Sequence, residues 1–236
     1  MKLRNYRRGF TLIELLVVVA IIALLAVGVF PLYSKIMVEM KAKSAMKGAY
    51  QIHQALFAYA SGNDQVFPNE DQGTTIADAN AGYRQLFVKG LVDDEKLFFV
   101  KTCPWHGTKT GPDGDRGTQE DGFKKALEPG ENHWGYVRGL VSDRDDSTLP
   151  IIMDGGTSST PGKWSKNAKE PGGVWGGRFA VTVRIGGQAR VNDLEPDLTV
   201  KDKRNGNLVD IFSTEYGSDP QTALNPLASQ YSMDQS

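Results

Sequence analysis

At 236 residues the chain has room for one or two domains, and 27 lysines and arginines against 28 aspartates and glutamates leave a formal charge of −1, with no basic surface for nucleic acid. A single cysteine, Cys103, excludes an intrachain disulfide. Lys2, Arg4, Arg7 and Arg8 stand in the first nine residues with no acid among them, so the chain without those four cations carries −5.

From Phe10 to Leu32 the only ionisable side chain is Glu14, and residues 15–34 are a run of twenty with no formal charge. Twenty helical residues rise about 30 Å, the thickness of a bilayer core, so residues 10–33 are predicted to form a transmembrane helix. The basic residues 1–9 stay cytoplasmic and everything after the helix crosses. A carboxylate in such a run costs ~2.5–3.5 kcal/mol on insertion scales, so Glu14 calls for a partner. An ordinary secretory signal cut near Ala26-Val27-Gly28 requires a shorter apolar core with no charge in it. A plain membrane anchor accounts for the length and leaves Glu14 unexplained. Cleavage between Gly9 and Phe10 instead removes the four cations and creates an amine at Phe10. Among staggered identical helices that amine meets the Glu14 carboxylate of a neighbour, which offsets the desolvation of both groups. Gly28 and Pro31 mark an expected helix kink, because proline removes a helical hydrogen bond and crowds the preceding turn.

The unbroken run from Arg8-Gly9-Phe10-Thr11-Leu12-Ile13-Glu14 through Leu25 resembles the leader of the type IV pilin and type II secretion pseudopilin superfamily. That resemblance implies a prepilin peptidase that cuts after Gly9 and methylates the Phe10 amine, and a docking role for Glu14 in subunit assembly. It implies as partners identical or related pilin subunits, an inner-membrane assembly platform and the lipid bilayer. It also implies that the region of Gly28 and Pro31 can lose helical structure on assembly.

Residues 34–62 keep a helical period. Ala45, Ala49, Ile52, Leu56 and Tyr59 form one stripe, with Met46, Tyr50, His53 and Phe57 beside it and Lys35, Lys41, Lys43 and Lys47 elsewhere. With Gly62-Asn63-Asp64 as a stop, the helix over 10–61 is about 78 Å long. His53, on an apolar stripe, reads as a satisfied, partly buried histidine. Residues 63–217 are predicted to form a periplasmic α+β head. In it Asp78 caps a short helix running to Lys89, with Tyr83, Leu86 and Phe87 inward and Gly90 at its end. Asp93 caps a further turn before a strand at 97–100. From 108 to 132 glycine, proline, aspartate and lysine predict a long loop with one helical turn at 123–127. Strands follow at 134–141 and 149–153, then a loop over 154–173. The clearest β signal is the alternation on either side of Gly186-Gly187, a tight hairpin of 178–185 with 188–191. Beyond Asp193 the chain is polar, with one further strand at 208–212 and a flexible polar tail over 218–236.

Phe57-Ala58-Tyr59-Ala60, Phe67-Pro68, the stretch from Phe99 to Cys103-Pro104, Gly135-Tyr136, Met153-Asp154-Gly155 and the last hairpin loosely resemble the heads of bacterial pilin-like proteins with this leader. The resemblance covers residues 1–192. Trp175-Gly176-Gly177 and Gly186-Gly187 stand where such relatives often have a histidine and an Asp-Gly turn. The implied fold is α+β and pilin-like: a long N-terminal helix, transmembrane then amphipathic, packed on a small antiparallel β-sheet head.

Chemistry-bearing patterns are sparse. Cys103-x-x-His106 with His133 offers soft ligands but no second pair, short of a structural zinc set. Asp113-Gly-Asp115-Arg116-Gly117 and Asp143-Arg144-Asp145-Asp146 offer oxygens to calcium, yet Lys124 occupies the twelfth position of the first loop, where an EF-hand has its bidentate acid. These read as solvated acidic loops, and no metal or cofactor is assigned. No nucleophile elbow, phosphate-binding loop or His-Glu-x-x-His occurs, so an enzyme is not expected. Trp134, Trp164 and Trp175, among glycines, read as core residues or as a carbohydrate or partner surface. The reading is a structural filament subunit of a type IV pilus or type II secretion pseudopilus. It starts as a single-pass inner-membrane protein with a periplasmic head and ends in a periplasmic or surface fibre. The alternative is a membrane-anchored periplasmic carbohydrate- or protein-binding domain that does not polymerise.

Overall fold

The computed structural model describes residues 10–71, 73–101, 111–155, 162–167, 172–219 and 222–224, without the side chains of 26–32, 34 and 35. Gly9 lies outside these residues, as do Cys103 and His106. The contacts gather into two compact units, Met1–Met40 and Lys41–Ser236.

The first unit holds the leading part of helix α1 (Leu12–Ser61), which continues through Gly28 and Pro31. Its large apolar side chains from Phe10 to Leu25 are exposed on every side, from 46% at Val18 to 88% at Leu12. A helix apolar all round is one that other helices or lipid cover. Among the described residues no helix is long and apolar enough to cross a membrane. The span expected over 10–33 includes side chains, 26–32, that lie outside them.

In the second unit α1 becomes one-sided. Ala42, Ala49, Ile52, Leu56 and Ala60 are fully buried at helical spacing, while Tyr50 and Phe57, expected beside the stripe, are exposed. Strands β1 (Glu70–Asp71) and β2 (Thr74–Thr75) make a small ladder before helix α2 (Ala79–Val88). As its sequence predicts, the Asp78 side chain accepts from the Ala81 N–H, Tyr83, Leu86 and Phe87 point inward, and Gly90 follows at φ +66°. Two local expectations are corrected. Residues 97–100 are not a strand: Asp94, not Asp93, caps a 3-10 turn (Glu95–Phe98), and the chain then meets residue 133 through two bonds, His133 N–H to Phe98 C=O and Val100 N–H to His133 Nδ1. Residues 123–127 are not a helical turn, since Phe123 and Leu127 both stand at φ +54°, outside the right-handed helical region.

The main sheet is antiparallel, with order β6-β5-β4-β3-β9. Its members are β3 (Gly135–Val137), β4 (Pro150–Met153), β5 (Phe179–Arg184), β6 (Ala189–Asp193) and, far along the chain, β9 (Ala223–Leu224). The β5–β6 hairpin pairs Val183 with Ala189 and turns over Gly186-Gly187 as expected. A second hairpin, β7 (Lys201–Arg204) with β8 (Asn207–Asp210), replaces the single strand read at 208–212. Its turn is Asn205-Gly206, both at positive φ, the chemistry of a two-residue hairpin loop. Arg184, buried in β5, anchors it through Asp202 Oδ2 at 2.5 Å. Where a polar tail was expected from Ser218, that residue is buried, its hydroxyl donates to Ile211 C=O, and Leu224 pairs with Tyr136. The described architecture, a helix with antiparallel sheets, is α+β and compatible with a pilin-like arrangement.

The Asp78 cap is testable. Asp78→Ala removes an acceptor from the start of α2 and is expected to lower the unfolding free energy by about 1 kcal/mol in denaturant titration, whereas Asp93→Ala leaves it unchanged.

Candidate functional site

At the start of α1 the Thr11 backbone N–H and hydroxyl both donate to Glu14 Oε2, at 2.8 and 2.7 Å, and the Glu14 N–H reaches Thr11 Oγ1 at 3.3 Å. This is a capping box: threonine and glutamate three apart answer each other's free backbone groups. Its signal, Thr-x-x-Glu ahead of an apolar run, is plain in the sequence, yet Thr11 was not among the residues expected to matter. In a lone chain the helix's own start is therefore Glu14's partner, with both bonds on Oε2 and Oε1 left for a further donor. Phe10, 79% exposed, sits immediately before this cap. Gly28 and Pro31 lie along the same helix, their side chains outside the described residues.

The tryptophans answer a question that sequence left open. Trp134, Trp164 and Trp175 are 1%, 1% and 5% exposed, so they are buried and form no exposed aromatic surface for a sugar. Trp164 and Trp175 donate their indole N–H groups to Asp154, at 2.7 Å to Oδ1 and 2.5 Å to Oδ2, and the Val181 N–H adds a third bond at 2.9 Å. Asp154 is fully buried at the end of β4, and this carboxylate fastens the glycine-rich segment carrying both tryptophans to the sheet. Burial pushes its carboxyl up to about 7 against the pull of those donors.

Among the acidic residues the structure brings Asp113 together with Glu95 and Glu131, their oxygens within 4.8 Å of one another. Asp115, its expected companion, instead pairs with Lys125 at 2.7 Å. Glu95 accepts from Gly114 and Leu127 N–H groups, and Glu131 from Asp113 and Glu128 N–H groups. Each member is 18 residues from the next, so no local motif announces them. All three carboxylates accept backbone N–H groups, and in doing so they hold the 111–131 loop. In the other acidic loop Asp145 accepts from Val141 N–H and Asp146 pairs with Arg204. His53 is the satisfied residue its stripe suggested: 6% exposed, with Nε2 donating to Ile185 C=O at 2.8 Å, and with its imidazole pushed down by burial.

Residues 4–30 match the family model of the prokaryotic N-terminal methylation motif, the hallmark of type IV pilin and pseudopilin precursors. No curated protein and no solved structure matches the chain. The motif supports a pilin-like or pseudopilin-like precursor, a substrate of prepilin peptidase, and a structural subunit in preference to an enzyme.

Asp154 makes a pH prediction. Its folded-state pKa lies above the usual carboxylate value, so its contribution to stability is complete below about pH 4 and is lost as pH rises through about 7. The wild type is expected to lose up to about 1.4 kcal/mol per pH unit relative to Asp154→Asn across that window, read from denaturant titrations followed by tryptophan fluorescence. Parallel profiles for the two proteins would mean that the three donors keep the carboxylate ionised at every pH.

Proposed function

We propose that the chain is a filament subunit of the type IV pilin or type II secretion pseudopilin kind, cut after Gly9, methylated at Phe10 and assembled through Glu14. The match over residues 4–30 carries the reading. Two physical features support it. The helix after the cleavage point is apolar on all sides from Phe10 to Leu25, a surface that calls for lipid before assembly and for neighbouring helices after it. Within that surface one carboxylate waits at the helix start, capped by Thr11 on one oxygen only.

Cleavage converts a strongly basic N-terminus into a single amine beside this carboxylate. Membrane insertion is single-pass, with residues 1–9 cytoplasmic and the head across the bilayer. The subunit leaves the membrane when helix packing and an ion pair between its Glu14 and a neighbour's Phe10 amine outweigh contact with lipid. The inner-membrane assembly platform supplies the work of extraction, and the product is a periplasmic or surface fibre. A kink at Gly28 and Pro31 lets the helix follow its neighbours. An anchored binding domain that never polymerises is the weaker reading, because it has no use for Glu14 and the tryptophans that suggested a sugar surface are buried.

Mass spectrometry of the protein from its own host is expected to give a mature chain starting at methylated Phe10; an intact Met1 would favour the anchor. Glu14→Ala is expected to be cleaved and inserted normally while failing to enter filaments, counted by electron microscopy and shearing. Wild-type amounts of filament from that variant would remove Glu14 from assembly. A bulkier side chain in Gly9→Leu is expected to leave the leader on.

A further inference from the structure

Past Met40, α1 and the segment around the 3-10 turn Glu95–Phe98 line a groove of about 410 Å³ that lies wholly within the second unit. Lys41 and Lys47 line it from the helix, and Lys96 and Lys101 from the opposite side. All four are exposed, and among the described residues none of the four ammonium groups has a carboxylate within ion-pair distance. Elsewhere in the head Lys125 is paired with Asp115 and Lys201 with Asp197. In a chain with an excess of acid over base once its first nine residues are set aside, four cations thus converge on one groove. Trp134, 1% exposed, also lines the groove, and its indole N–H has no acceptor among the described residues. A buried N–H without a partner is uncommon in native structures.

We infer that this groove binds an acidic segment of a partner protein, whose aspartate and glutamate carboxylates lie between the two pairs of lysines while its apolar side chains rest on Leu97 and Phe99. The lining favours a peptide over a phosphate. Lysine is a compact point charge that accepts a carboxylate from any direction, whereas no arginine, the side chain suited to bidentate phosphate binding, lines the groove. Charges on both sides with apolar groups between them suit an extended ligand better than a single anion. The same chemistry holds whether or not the chain polymerises, so its test is separate from that of Glu14.

The test uses the full chain in a neutral detergent and the fluorescence anisotropy of labelled hexaglutamate. Lys47→Glu with Lys96→Glu is compared with an equal charge change away from the groove, Lys124→Glu with Lys203→Glu. The groove variant is expected to weaken peptide binding about tenfold or more, the comparator less than about twofold, with the wild-type affinity falling as salt is raised. Equal losses in both variants would reduce the effect to overall charge and overturn the proposal, as would absence of hexaglutamate binding to the wild type. Inorganic phosphate or phosphatidylglycerol vesicles that bind in a lysine-dependent way, while hexaglutamate does not, would reassign the groove to a small anion or a lipid headgroup.

Discussion

Buried carboxylates accepting N–H groups hold this head together. Its longest strand, β5, has six residues, so much of the backbone lies outside ladders and its donors need acceptors of another kind. Glu95, Glu131 and Asp154 are 2%, 0% and 0% exposed; the two glutamates each receive two N–H bonds from loop residues, and Asp154 receives three, from two tryptophans and Val181 of β5. A carboxylate is suited to this task because it has two oxygens and no donor of its own, so it can gather several donors at one point. The chain has no disulfide to do the same for its glycine-rich loops. Asn80 and Asn132 extend the pattern, bonding each other and the carbonyls of Leu127 and Trp134 to tie α2 to the long loop.

The same chemistry recurs at the start of α1 with a different outcome. Glu14 also gathers an N–H and a hydroxyl, but it is exposed, on a helix otherwise covered in hydrocarbon side chains, and its bonds fall on one oxygen. A buried carboxylate with all its positions filled is a fixed joint. An exposed one with an open oxygen is a joint still to be made, which is why the second kind points to assembly and the first to stability.

Legibility from sequence followed the range of each interaction. The cap at Asp78, the stop at Gly90 and the hairpin at Gly186-Gly187 rest on contacts within a few residues, and all were readable. The capping box at Thr11 and the Asn205-Gly206 turn have equally local signatures: Thr-x-x-Glu ahead of an apolar run, and Asn-Gly in a stretch otherwise polar beyond Asp193. Meeting points between distant segments had no signature at all. Nothing near Asp113 names Glu95 or Glu131, and nothing near Trp164 or Trp175 names Asp154. The strand expected at 97–100 failed for a related reason: its burial does alternate, with Phe98 and Val100 inside, but among the described residues no partner strand lies beside it.

The position of β9 bears on the order in which the molecule is made. Residues 223–224 cover the outer edge of β3, while the opposite edge, β6, carries Arg190 and Asp193. A charged edge resists pairing with stray strands, whereas β3 presents Tyr136 and Val137 and has no charge of its own to deter them. Until residues 223–224 have left the ribosome, that edge lacks the strand that covers it. Residues 223–224 thus act as the closing piece of the sheet, and a chain interrupted before them would hold most of its core and be open to its neighbours along one strand.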